Sequence, residues 1–302
     1  MTAAGFLSDL KRRFDQGDMT LKFIYFNVGV FVLTSFLGIV LTLFKISTDS
    51  WGNLLALPAD LIRLLHQPWG ILTYMFMHAG LLHLLFNMLW LYWFGQLFLY
   101  FYSSRHLRGL YFLGGILGGV CYILAYHLFP YFESAIPYSY LVAASASVLA
   151  IVVATAVREP DYRVQFMFIG AVRLKYVALF MVISDLLLMT SENAGGHIAH
   201  LGGALAGFWF AVSLRKGSDL TAWINWIIDK LTGWLSFGNR KPKKPKMKVH
   251  YGTGTRQQDY DFNARKKEQS EKVDRILEKL RRSGYDSLTA DEKKSLFDAS
   301  KK

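Results

Sequence analysis

Apolar residues in this chain come in blocks long enough to cross a bilayer, with most charges held in the gaps between them. The first block covers 23–44, and a helix needs about 20 such residues to span a hydrocarbon core of roughly 30 Å. Further blocks follow at 81–101, 109–129, 138–157, 174–190 and 199–214, so six spans are expected, the last two short. Between the first two blocks, Lys45, Asp49, Trp51, Pro58, Asp60, Arg63 and Pro68 break any extra span. That stretch reads as a long, partly buried loop.

The flanking segments carry a different pattern. In 1–19, Phe6, Leu7, Leu10 and Phe14 share one helical face, which fits a short surface helix or a solvated terminus. Lys11, Arg12 and Arg13 precede an apolar run too long for a cleavable signal peptide. After the sixth block, Trp223, Trp226, Ile227, Leu231 and Trp234 recur at helical spacing beyond a cap at Ser218 or Asp219. Asp229, Lys230 and Gly233 interrupt that run. Residues 217–238 are therefore expected to form an amphipathic helix at the membrane interface, not a seventh span. The segment 239–267, which opens with RKPKKPKMK, reads as a polybasic linker without regular structure. Residues 268–302 read as a small helical hairpin, with Val273, Ile276, Leu277 and Leu280 on one face and Gly284 as a stop. Thr289 and Glu292 then form a capping box for a last helix carrying Leu296 and Phe297. The fold class is an all-α polytopic membrane protein: a six-helix transmembrane domain over 20–216 with a cytoplasmic C-terminal helical extension.

Charge sets the orientation. Thirty-four Lys and Arg against 22 Asp and Glu leave a net +12. With the N-terminus in the cytoplasm, the inner loops hold Arg105 and Arg108, then Arg158, Arg163, Arg173 and Lys175, then Arg215 and Lys216. The outer loops hold mainly Lys45 and Arg63, so the positive-inside rule places both termini on the cytoplasmic side of the inner membrane. The basic tail should attract anionic lipid headgroups, at about 1 kcal/mol per charge. Nucleic acid is not expected as a partner, because no aromatic platform or reading fold accompanies the basic run. Cys121 is the one cysteine, which removes disulfides and cysteine-based metal clusters.

Chemistry is carried by polar residues inside the apolar blocks. His83 and Asn87 are four apart and share one face of the second span. Ser145 lies early in the fourth, and His200 near the start of the sixth. These three spans run from outside to inside, so all four residues sit within roughly 10 Å of the outer boundary. Polar groups at one depth in a membrane imply a wet pocket. Gly202, Gly203 and Gly207 on the sixth span, and Ala143, Ala144, Ala146 and Ala150 on the fourth, permit close approach of the two helices. His200 can then serve Ser145 as general base, while His83, Asn87 and the Ser145 N–H donate to an oxyanion. Ser147 is assigned to packing, as is the cluster Gly114, Gly115, Gly118 and Gly119. His78 is expected to hydrogen-bond the outer loop and His197 to make a loop or gate contact. Asp185 has no assigned partner, is open to anchoring on a neighbouring helix, and is given no catalytic role.

HxxxN in the second span, the serine flanked by small residues in the fourth and AHLGG in the sixth resemble the rhomboid family of intramembrane serine proteases. Pro68-Trp69-Gly70 ahead of YMFMHAGLLHLLFN also resembles bacterial members. The resemblance implies a Ser–His dyad without an aspartate, here Ser145 and His200, with His83 and Asn87 at the oxyanion. It further implies single-span membrane proteins as substrates, cut near their outer boundary at small residues, with no cofactor and no metal. Three departures stand out: alanines at 143 and 146 where the family's motif has glycine, Gly70 in place of an arginine, and Leu149 in place of an aromatic. Two other functions stay open on the residues, a catalytically silent scaffold for membrane helices and a metal-dependent enzyme or carrier using His78, His83, His197 and His200. The oligomeric state is not readable.

Overall fold

The computed structural model describes residues 12, 14–46, 53–166, 169–235 and 256–300. The basic run 240–248, and Phe6, Leu7 and Leu10 of the expected N-terminal helix, lie outside them.

Helices α1 (Met19–Leu43), α2 (Leu81–Phe101), α3 (Ser104–Leu128), α4 (Ser145–Arg158), α5 (Leu174–Leu187) and α6 (Ala194–Arg215) take up the six apolar blocks. α1, α2, α3 and α6 are long and apolar enough to cross a membrane. α4 and α5 have 14 residues each, about 21 Å of helix, which is short of a full hydrocarbon core. Apolar side chains such as Phe36, Leu82, Phe180 and Phe208 stand exposed around the outside, as lipid requires. This is a polytopic, all-α membrane protein.

Burial explains the brevity of α4. Every residue from Ala146 to Ala156 is buried, so this helix meets neighbouring helices on all sides. α6 runs parallel to it at close range. A methyl added at Gly203 would collide with the Ala146 carbonyl oxygen, and one at Gly207 with that of Ala150. α3 packs antiparallel on the same helix, with Gly114 against Ala150 and Gly118 against Ala146. Small residues on three helices thus bring their backbones together, as expected for packing that relies on close contact instead of water exclusion. Ser147 is fully buried and faces Gly115 of α3.

The fourth block was expected to be helical from Tyr138. Helix begins only at Ser145. Tyr140 and Leu141 form a short strand, β2, paired antiparallel with β1 (Leu57–Pro58) of the long loop. Ala143 follows at φ +112°, a conformation that ends any helix. Its N–H donates to the Tyr74 carbonyl at 3.0 Å. The loop itself is partly buried as expected: Ala56, Leu57, Tyr74 and Met75 are all inaccessible. Trp69 Nε1 donates to the Leu54 carbonyl at 2.8 Å, and the Tyr74 hydroxyl to Gly115 of α3 at 2.7 Å.

Strands β3 (Arg163–Phe166) and β4 (Gly170–Arg173) form a hairpin between α4 and α5. α7 (Ala222–Leu235) follows α6 and docks by its polar face on the start of α3. Asn225 accepts from Arg108 Nε at 2.8 Å, and Asp229 accepts from Arg108 at 2.7 Å and Arg105 at 3.1 Å. Trp223, Trp226, Leu231 and Trp234 are left exposed.

Residues 239–302 form a second compact unit. Its first helix, α8 (Arg256–Ser283), begins inside the stretch expected to lack structure. Its 28 residues are mostly charged on the outside and bury Ile276. Helix propensity in a Lys-, Glu-, Arg- and Gln-rich run outweighs its polarity. Gly284 at φ +76° turns the chain into α9 (Ala290–Ser300). The capping box forms, with Thr289 N–H on Glu292 at 2.8 Å and Glu292 N–H on Thr289 Oγ1 at 3.3 Å. Hydrogen bonds to Glu292 from Lys279 and then from the Thr289 N–H hold its carboxyl down at about 2.

Candidate active site

Ser145 is the first residue of α4. The first hydrogen bond of that helix runs from Val148 N–H to the Ala144 carbonyl at 2.9 Å. The N–H groups of Ser145 and its next two neighbours therefore have no acceptor within the helix, and the positive end of the helix dipole lies at the serine. A helix running from Tyr138 would have buried those N–H groups in its own ladder. The late start places donors beside the hydroxyl.

Ser145, His83 and His200, from α4, α2 and α6, line one cavity of about 480 Å³. Tyr122, Tyr126, Tyr138, Tyr140 and Glu192 form much of its remaining wall. The same three residues line a second, smaller cavity of about 210 Å³, together with Asn87, Leu149 and Met181 of α5. All four residues singled out from the sequence thus line the smaller cavity. Asn87 donates to the His83 carbonyl at 2.9 Å, which uses one of its two amide protons and leaves the other. No hydrogen bond joins Ser145 to His200 among the described residues. Such bonds are often long before substrate binds.

The four histidines considered together for a metal fall into two pairs. His78 is buried and packs edge-on against His83, ring centres 5.6 Å apart. Its ring lies beside the Phe76 backbone at the end of the outer loop, without a hydrogen bond of ordinary geometry. His197 and His200 both direct Nδ1 to one oxygen of Asp185, each at 2.8 Å. His197 thus contacts α5 through Asp185, and Asp185, for which no particular partner was expected, is anchored to the neighbouring helix α6 by two histidines. Asp185, His197 and His200 have ligand atoms close enough to hold a cation. Two N–H···O bonds to a carboxylate already account for their arrangement. Depth along the helices was the available signal for Asp185. It lies near the same end of α5 as His200 does of α6, but no spacing within one helix links the two.

None of the curated proteins compared with the chain matches it. Residues 257–302 match a family of unknown function, DUF6576. Residues 65–217, about half of the chain and the part that builds both cavities, match the Rhomboid domain, and the chain belongs to the rhomboid family.

Proposed function

We propose that this protein is an intramembrane serine endopeptidase. The observation that carries the reading is the meeting of Ser145, His83 and His200, from three helices, on one cavity at the N-terminus of α4. In this reading the Ser145 oxygen attacks the scissile carbonyl carbon while His200 Nε2 takes the hydroxyl proton. The carbonyl oxygen becomes an anion, which accepts from the Ser145 N–H, His83 and Asn87. Collapse breaks the C–N bond, and the leaving amine takes the proton from His200. Water, activated by the same imidazole, then attacks the acyl-serine ester. It releases the new carboxylate end and restores the serine. One oxyanion donor typically contributes about 2.7–4 kcal/mol to the barrier, so Asn87→Ala should slow cleavage on the order of 10² or more.

Substrates are transmembrane segments of other proteins. The smaller cavity is bounded by α2 and α5, whose apolar outer faces suit approach from lipid. The six apolar helices are read as six spans of the inner membrane, and the arginines at 105, 108, 158, 173 and 215 favour cytoplasmic termini. α7 lies in the inner interface with its indoles in lipid. The test is reconstitution in liposomes with a single-span reporter, alongside fluorophosphonate labelling. Wild type is expected to cut and label, and Ser145→Ala and His200→Ala to do neither. Equal cutting by all three excludes this mechanism. A wild type that holds the reporter without cutting or labelling points to a helix-binding scaffold.

A further inference from the structure

We infer that Asp185 is a positioning residue for His200, which sets an aspartate from α5 behind the Ser145–His200 pair of α4 and α6. The inference rests on the protease reading above. Its ground is geometric. One carboxylate oxygen of Asp185 sits 2.8 Å from His200 Nδ1 and 2.8 Å from His197 Nδ1. The Asp185 side chain is 9% exposed, so the carboxylate draws little help from water and depends on these donors.

A carboxylate only accepts, so both imidazoles present Nδ1–H to it. That fixes their tautomer. His200 then carries its lone pair on Nε2, the nitrogen on the far side of the ring from Asp185, and its ring lines the cavity with Ser145. The wrong tautomer would present a proton to the serine instead of a lone pair. When His200 becomes an imidazolium during the reaction, the adjacent negative charge stabilises it. His197, one turn earlier on α6, holds the same oxygen from the other side and keeps the carboxylate from swinging away. It does not line the cavity. The aspartate comes from α5, the element that also bounds the smaller cavity through Met181.

A carboxylate that merely ties α5 to α6 would serve stability alone, and the test separates the two. Asp185→Asn keeps the shape but can donate to His200 Nδ1 and favour the wrong tautomer. Per active site, its kcat is expected to fall at least about 10-fold, toward the ~10⁴ this change costs in soluble triads, with KM within about twofold. The rate of Ser145 labelling should fall in parallel. Asp185→Glu should recover part of the loss. Nitrogen NMR of the labelled imidazoles should place the His200 proton on Nδ1 in the wild type and not in Asp185→Asn. An Asp185→Asn variant with a lower unfolding temperature but unchanged kcat and tautomer overturns the inference. So does loss of wild-type activity on chelation, because a cation would then occupy the cluster. If wild type itself neither cuts nor labels, the protease reading fails, and the NMR result alone decides whether Asp185 orients His200.

Discussion

Ala143 carries the clearest strain in the site. At φ +112° it lies beyond the left-handed well that non-glycine residues tolerate, in a region that suits glycine. Such a residue costs about 1–3 kcal/mol. It persists because β2 pairing and the N–H bond to Tyr74 at 3.0 Å fix the backbone before the turn, and the first bond of α4, from Val148 N–H to Ala144, fixes it after. The turn delivers Ser145 as the first residue of α4. Ala143→Gly should relieve the strain but lose a buried methyl and gain unfolded-state freedom, for a net stabilisation of about 1 kcal/mol. Thermal unfolding in detergent should show the midpoint rising by a few degrees, with Ser145 still labelled. A midpoint that stays put or falls means no strain is stored there. The family-like serine motif was legible in the sequence, as were His83, Asn87 and His200, because each lies in an apolar run where a polar residue stands out. The positive φ was not legible, since it depends on a strand pairing with residues more than 80 positions away. Asp185 stood out too, but its partners sit on the next helix, and spacing within α5 says nothing about them.

Among the elements, α2 was read to the residue because Gly80 and the Tyr102–Ser103 turn bracket its apolar run. The helix of the fourth block starts seven residues later than its apolar pattern predicts, because a 3-10 helix ends at Tyr138 and 139–144 is strand and turn, which hydropathy alone cannot tell from α-helix. α7 was recognisable as amphipathic from its indoles, but the sequence alone could not say which face meets protein. Its polar face is the docked one. Arg108 donates both to Asn225, which is fully buried, and to Asp229. The Arg105 side chain, 60% exposed, pairs with Asp229. Arg108→Ala leaves the Asn225 oxygen buried without a donor, at a cost of about 1–3 kcal/mol. Arg105→Ala removes a solvent-screened pair worth under about 1 kcal/mol. Unfolding midpoints of the two variants, measured in the same detergent, should separate accordingly. Equal shifts would mean that α7 is held by its apolar contacts, such as buried Ile224, and not by this polar pairing.

At the scale of the whole molecule, the catalytic apparatus and the C-terminal extension are separable on physical grounds. Every residue given a role at the cavity lies between Tyr74 and Gly207, within the first compact unit. The helix contacts that shape it are backbone-to-backbone approaches among α3, α4 and α6. The second unit closes on itself, through Ile276, Leu288, the Thr289–Glu292 capping box and the Lys279–Glu292 pair at 2.9 Å. It matches a family of its own. The blocks and the basic tail were visible in the sequence, whereas the extent of α8 was not, because its stability comes from propensity spread over a long polar run. Removing residues 239–302 should therefore leave the intramembrane chemistry untouched. Cleavage of the single-span reporter by the truncated protein, in neutral lipid, is expected within about twofold of the full chain per labelled Ser145, since every residue given a role at the cavity is retained. The full chain alone should gain from anionic lipid, because basic residues in 240–248 add about 1 kcal/mol each at a charged surface. Complete loss of cleavage on truncation, with Ser145 no longer labelled, would show that the extension supports the fold of the first unit. Loss of cleavage with labelling intact would place it in substrate capture instead.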